Sequence, residues 1–177
     1  MERRDRQISI FNPKKPFRLN VGFIIHEEVG YTHEFPFEFD RVWLGDDLEL
    51  KKFTGVADIG RTPQGLIVQG NFSGETILEC VRCLRAFHQP LTWQITELYA
   101  FNKKSVSESG MLLPEDAQID LQPLLREYAF LEVPINPLHS MDCLGLCPVC
   151  GQDLNVRDCG HRTEEPESPL SKLKSLL

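Results

Sequence analysis

The sequence predicts an α+β protein, formed mainly by an antiparallel β-sheet or a partly open barrel, with one packed helix and a small cysteine-rich lobe near the C-terminus. Three observations support this fold class. Apolar and polar residues alternate through most of residues 17–101, the predicted antiparallel β domain, as they do in half-buried strands. One strong helical stripe begins near Asp120. Four of the six cysteines lie between Cys143 and Cys159.

The first strands follow a charged lead-in, residues 1–16, which we expect to be loosely ordered. Residues 17–21 alternate and predict a short strand. Residues 33–39 place three phenylalanines on one side of an extended segment. Because proline cannot donate a ladder hydrogen bond, Pro36 makes this segment an edge strand or a bulged strand.

Two strands over residues 48–59 and 66–72 are predicted to pair antiparallel across a turn at residues 61–65, which contains a proline and a glycine. After Ser73-Gly74, the alternation over residues 75–80 predicts a separate strand. Another strand signal runs from Leu84 to the end of the β domain. The pair Cys80-Val-Arg-Cys83 therefore lies at a strand junction.

The predicted helix, residues 120–133, is preceded by a polar connecting loop, residues 102–119, with a short strand expected near Ile119. Asp120 is the expected N-cap, and Pro123 is favourable in the first helical turn. Pro134 ends the helix. The apolar stripe, which we expect to pack on the sheet, comprises Leu121, Leu124, Leu125, Tyr128 and Leu131.

The segment Cys147-Pro148-Val149-Cys150-Gly151 is typical of a metal knuckle, in which two thiolates converge on one ion above a sharp backbone turn. Zinc is the expected metal, because iron–sulfur clusters usually show other cysteine spacings. We therefore interpret residues 134–161 as a zinc-binding lobe. The predicted ligands are Cys143, Cys147, Cys150 and Cys159. Four protein ligands close the coordination shell, so such a site is structural.

Other ligand sets remain open. His161 could replace Cys159, and His139 could replace Cys143. The second C-x2-C pair, Cys80 and Cys83, could also join a zinc ribbon. The local set of four cysteines is favoured because it needs the least chain closure.

Composition limits the possible functions. With 26 acidic and 19 basic residues the net charge is −7, which argues against a protein that coats nucleic acid. Any RNA contact should be local, and Arg82 and Arg85 are the candidate phosphate contacts. Cysteines at metal spacings favour a reducing compartment, and the cytoplasm is expected. The sequence contains no apolar run of membrane-spanning length and no common catalytic motif, so we expect no membrane association, no small-molecule substrate and no enzymatic activity.

The last segment, residues 162–177, is predicted to be an acidic tether followed by a short amphipathic helix. Eight residues form a marginal helix alone, so we expect this helix to dock on its own domain or on a partner.

Three segments together resemble one family: residues 74–84 around the first cysteine pair, residues 120–128 of the helix, and residues 143–155 of the cysteine cluster. In their order they are similar to the YceD family of large ribosomal RNA subunit accumulation proteins. The resemblance implies a factor that supports accumulation of large-subunit ribosomal RNA. Its implied partner is the precursor large ribosomal subunit, through ribosomal RNA, a ribosomal protein or both.

Two other functions stay open at this point. One is a thiol redox protein or sensor that uses Cys80 and Cys83, although no helix pattern follows this pair to lower a thiol pKa. The other is a zinc-ribbon adaptor for proteins unrelated to the ribosome.

Overall fold

The computed structural model describes residues 15–106 and 110–161. The predicted terminal helix and nearly all of the predicted lead-in lie outside these ranges. The chain divides into two compact units. Unit 1 consists of Met1–Ile77 and His88–Ile135, and unit 2 consists of Leu78–Phe87 and Asn136–Leu177.

Six strands and two helices occur in the described part of the chain. In chain order they are β1 (Arg18–Asn20), α1 (Gly22–Ile25), β2 (Thr32–Trp43), β3 (Glu49–Arg61), β4 (Gly65–Glu79), β5 (Ala86–Ala100), β6 (Gln118–Asp120) and α2 (Gln122–Leu131).

The main sheet is open and has four strands in the order β2-β3-β4-β5. Strands β2, β3 and β4 pair antiparallel. This confirms the predicted antiparallel architecture and selects the open sheet over the barrel. Strand β2 lies at the sheet edge, as the proline predicted, and Pro36 is opposite Val56.

Strand β4 is continuous from Gly65 to Glu79, so the prediction of a separate strand over residues 75–80 was wrong. Ser73-Gly74 does not end the strand, because Ser73 pairs with Thr54 and Glu75 pairs with Lys51. The register shift falls on β3, where Lys52 has a positive φ of 49°. The extra residue therefore forms a bulge in β3, and β4 remains continuous through Ser73-Gly74.

The core of unit 1 is an aromatic cluster on one face of the sheet. Phe53 is fully buried and lies within 6.2 Å, ring centroid to ring centroid, of four other aromatic rings, those of Phe17, Phe39, Phe72 and Trp93. The short pair β1 and β6 adds the buried side chains of Leu19 and Ile119. Strand alternation therefore directs one face of β2–β5 into a shared core.

The expectation of a single helix was wrong, because the four residues of α1 also form a helical turn. Helix α2 agrees with the predicted helix, with two corrections. Leu121 occupies the N-cap position, while the Asp120 carboxylate accepts a hydrogen bond of 3.0 Å from the Gln122 amide. Leu131, predicted on the buried stripe, is 75% exposed. It is the last residue of a helix that ends earlier than residue 133, so its side chain extends beyond the packed turns.

Among the described residues, no helix is both long enough and apolar enough to cross a membrane.

Candidate metal centres

Unit 2 contains two groups of metal-ligating side chains. Their ligand atoms lie within 4.8 Å of one another in each group. The first cluster is Cys80, Cys83, His139 and Cys143, and the second cluster is Cys147, Cys150, Cys159 and His161. Each offers three thiols and one imidazole, a donor set that suits tetrahedral zinc.

The first cluster begins in a tight turn between β4 and β5. The Cys80 amide donates to the Arg85 carbonyl at 2.9 Å, and the Leu84 amide donates to the Cys80 carbonyl at 2.9 Å. Leu84 adopts a positive φ of 58°, which lets the chain reverse directly after Cys83. The Val81 amide donates to the Pro137 carbonyl at 3.0 Å. This bond brings the turn against the segment that carries His139.

Distances within the first cluster match those of a zinc site. A tetrahedral zinc ion with Zn–S bonds of ~2.3 Å would hold two sulfurs ~3.8 Å apart and a sulfur and a nitrogen ~3.6 Å apart. The Sγ atoms of Cys80 and Cys143 are separated by 3.7 Å. Cys83 Sγ and His139 Nδ1 are separated by 3.3 Å. The side chains are thus arranged for coordination with little rearrangement.

Two thiols of the first cluster have pKa values displaced in opposite directions. Burial is the largest single effect on the Cys80 thiol and raises its pKa. Hydrogen bonds from His139 and from neighbouring backbone amides together outweigh burial, and the pKa of Cys80 is lowered to about 5. The pKa of Cys83 is raised, first by burial and then by the nearby Cys80 and Cys143 sulfurs. Like charges this close disfavour one another, and a bound cation would stabilise them together.

The second cluster is built on the knuckle predicted from the sequence. The Gly151 amide donates to the Cys147 carbonyl at 2.8 Å, and Gly151 has a positive φ of 72°. The pKa of Cys147 is lowered to about 6, mainly by the backbone amides of Cys150 and Val149. Cys147 is buried, whereas Cys150 and His161 are exposed. Solvent therefore reaches this cluster more easily than the first.

The four cysteines that spacing assigned to one site are divided between the clusters. Cys147, Cys150 and Cys159 lie together with His161, while Cys143 lies with Cys80, Cys83 and His139. The local set needed the least chain closure, but the folded chain brings Cys80 and Cys143 together across 63 positions, with their Sγ atoms 3.7 Å apart. The signal for the first cluster was the C-x2-C pair together with His139 four positions before Cys143.

The two arginines predicted to contact phosphate each make one contact with another residue of unit 2. Arg82 Nη1 donates to the Cys143 carbonyl at 2.8 Å, and Arg85 Nη2 lies 3.1 Å from Asp153 Oδ2. Both residues are exposed. They join the turn that carries Cys80 and Cys83, here called the first knuckle, to the segments that carry Cys143 and Asp153.

Comparison with known proteins gives one matching family. The family described as "Large ribosomal RNA subunit accumulation protein YceD" matches residues 68–177, which include all eight residues of the two clusters. An uncharacterized protein of Mycobacterium tuberculosis is 32% identical over 120 residues, covering 64% of this chain and 56% of that protein. The chain thus spans little more than half the length of this relative.

Two other relatives differ in coverage. The uncharacterized protein YlbN of Bacillus subtilis is 25% identical over 158 residues, covering 82% of this chain and 92% of that protein. The large ribosomal RNA subunit accumulation protein YCED homolog 1, chloroplastic, of Arabidopsis thaliana is 33% identical over 67 residues, covering 36% of this chain and 21% of that protein. No solved structure matches the chain.

Proposed function

The chain belongs to the YceD family of large ribosomal RNA subunit accumulation proteins, and from this membership we propose that it supports accumulation of large-subunit ribosomal RNA in the cytoplasm. The observation that carries the proposal is the extent of the match. It begins at Val68 within β4 and includes β5, α2 and both cysteine-histidine clusters.

The proposed role is binding during assembly of the large subunit, without a catalytic step. Its partner is the precursor large subunit, contacted through ribosomal RNA, a ribosomal protein or both. Zinc is the proposed cofactor, and its role is structural, because a cluster with four protein ligands leaves no coordination position for substrate. Bound zinc would hold unit 2 in one conformation, since metal binding in small lobes contributes directly to folding.

Local electrostatics support a limited RNA contact. The net charge of −7 disfavours binding along an extended RNA surface. Arg82 and Arg85 are exposed and adjacent to the first cluster. Each makes its contact within unit 2 through one guanidinium nitrogen, Nη1 of Arg82 and Nη2 of Arg85, and a guanidinium carries further N–H donors. They stay our candidates for contact with phosphate.

The thiol redox alternative is less favoured by the structure. Cys80 and Cys83 are 0% and 7% exposed and lie beside Cys143 and His139. A reactive thiol must be accessible to its substrate, and these are not.

Sedimentation through sucrose gradients tests the proposed function. The tagged chain should sediment with precursor large subunits at low salt, and cells that lack it should contain less large-subunit than small-subunit ribosomal RNA. The Arg82→Ala/Arg85→Ala variant should dissociate at lower salt than wild type, and Arg41→Ala, an exposed arginine of β2, is the matched control. Sedimentation of the wild type only in the free fraction at every salt concentration would contradict the role and favour an adaptor unrelated to the ribosome.

A further inference from the structure

We propose that unit 2 binds two zinc ions, one in each cluster, and that Asn155 couples the two sites energetically. The proposal rests on the structural zinc role proposed above and adds to it the number of ions and the contact between them. Six cysteines and two histidines supply two complete sets of four ligands. If unit 2 bound only one ion, four of these eight side chains would have no metal to bind.

The two sites are joined by a very short segment. Only Leu144, Gly145 and Leu146 separate Cys143 of the first cluster from Cys147 of the second. The Leu146 amide donates to the Arg82 carbonyl at 3.0 Å. The Gly145 carbonyl accepts from the Leu154 amide at 3.0 Å. This linker is therefore hydrogen-bonded both to the first knuckle and to the loop between Cys150 and Cys159, which belongs to the second cluster.

Asn155 lies on that loop and reaches a ligand of the other cluster. Its Nδ2 is 3.6 Å from Cys143 Sγ, and its Oδ1 accepts from the Leu144 amide at 2.8 Å. An N–H donor to a metal-bound sulfur stabilises the thiolate and orients it. The loop between Cys150 and Cys159 thus supplies, through Asn155, a hydrogen bond to Cys143 of the first cluster.

Asp153 holds Asn155 in this position. Its Oδ1 accepts from the Asn155 amide at 2.9 Å and from Asn155 Nδ2 at 2.7 Å. Its Oδ2 lies 3.1 Å from Arg85 Nη2, which extends from the first knuckle. When zinc orders the loop between Cys150 and Cys159, it therefore also orders the donor to Cys143. Because coupling between two binding sites is reciprocal, zinc in the first cluster must favour zinc in the second equally.

Zinc counting tests the number of ions. The full chain, purified under reducing conditions, is analysed by native mass spectrometry and by atomic emission. We expect two zinc ions per chain for wild type, and one for each of the single-site variants Cys80→Ser/Cys83→Ser and Cys147→Ser/Cys150→Ser. One ion in wild type would overturn this inference and leave the structural zinc role standing. Zero would overturn both, and neither result depends on ribosome association.

Competition with a chelator tests the coupling. In wild type, the product of the two dissociation constants should be about 10- to 100-fold smaller than the product obtained from the two single-site variants, the range typical of outer-shell partners of metal ligands. When Asn155→Ala is introduced into all three proteins, the two products should agree. Asn71→Ala, an exposed asparagine of β4, should preserve the difference. Agreement of the products in the wild-type series would overturn the coupling, as would a difference that survives Asn155→Ala.

Discussion

His139 Nδ1 lies 3.3 Å from Cys83 Sγ, although the two residues are 56 positions apart in the chain. Cys83 belongs to the turn between β4 and β5, whereas His139 follows α2, which ends at Leu131. The contact therefore closes the first cluster between segments that are distant in the chain. It places His139 beside Cys83 rather than beside the C-terminal knuckle.

Replacing His139 with alanine should weaken zinc binding at the first cluster by more than the ~10- to 100-fold typical of a lost outer-shell partner, because a direct ligand is removed. Zinc release to a chelator measures the effect. His88→Ala, which changes an exposed histidine of β5 in unit 1, is the control and should bind zinc as wild type does. Unchanged zinc affinity in His139→Ala would exclude this histidine as a ligand.

Gly145→Ala should destabilise unit 2 because of both backbone strain and a close contact. Gly145 has a positive φ of 79°, and an added Cβ would lie 3.1 Å from the Arg82 carbonyl oxygen. The left-handed conformation alone costs an alanine about 1–2 kcal/mol. Gly151→Ala is the matched control, since its φ is also positive at 72° and its Cβ would meet no atom within 4 Å. Zinc release should be faster in Gly145→Ala than in Gly151→Ala, and equal rates would mean that the Arg82 contact is unimportant.

Removing the metal should loosen unit 2 and leave unit 1 folded. Both tryptophans and all three tyrosines of the chain lie in unit 1, so intrinsic fluorescence reports only on that unit. After chelation we expect unchanged fluorescence and faster tryptic cleavage after Arg157, which lies between Cys150 and Cys159 of the second cluster. Cys147→Ser should show the same pattern without chelator. A fluorescence change as large as that of denaturation would show that unit 1 also depends on the metal.

Phe53→Ala should have the opposite pattern, with strong destabilisation of unit 1. Phe53 is fully buried among the aromatic rings of the sheet core, and truncation of such a side chain typically costs about 3–5 kcal/mol. Urea denaturation followed by tryptophan fluorescence measures the loss. Phe23→Ala, at a position 40% exposed, should lose much less. Similar losses in the two variants would mean that the aromatic cluster does not determine stability.

Arg126→Leu should lower stability near neutral pH and have less effect in acid. Arg126 Nε donates to Asp47 Oδ1 at 2.9 Å, Nη2 binds Asp47 Oδ2, and the guanidinium carbon lies 4.7 Å from the Phe130 ring centroid. Arg126 lowers the pKa of Asp47, mainly through its hydrogen bond. A lowered carboxyl pKa stabilises the folded state above the unfolded-state pKa, and this stabilisation is lost as pH falls through the folded-state pKa.

The stability difference between wild type and Arg126→Leu should accordingly shrink from neutral to acid pH. The side chains are 41% and 51% exposed, so screening by solvent should keep the difference small even at its maximum. Asp46→Asn, at the neighbouring exposed position, is the control for a general loss of charge. A difference independent of pH would show that Arg126 acts through its packing on Phe130 rather than through Asp47.

Local patterns in the amino-acid sequence were sufficient for most of unit 1. Alternation placed β2, β3 and β5, Pro36 placed β2 at a sheet edge, and the leucine stripe located α2. They succeeded because strand and helix periodicities depend on residues close in the chain. The continuous β4 was missed because Ser73-Gly74 resembles a turn, while the pairing of Ser73 with Thr54 keeps the strand intact.

The cysteine spacing by itself was enough to predict a metal site, since thiolates three positions apart at a glycine turn already converge. Spacing could not decide which cysteines lie together in one cluster. That depended on the turn between β4 and β5, which places Cys80 and Cys83 beside His139 and Cys143 and leaves His161 to complete the second cluster. Ligand partnership is a contact between distant segments, and only the pairing of strands and loops in the folded chain determines it.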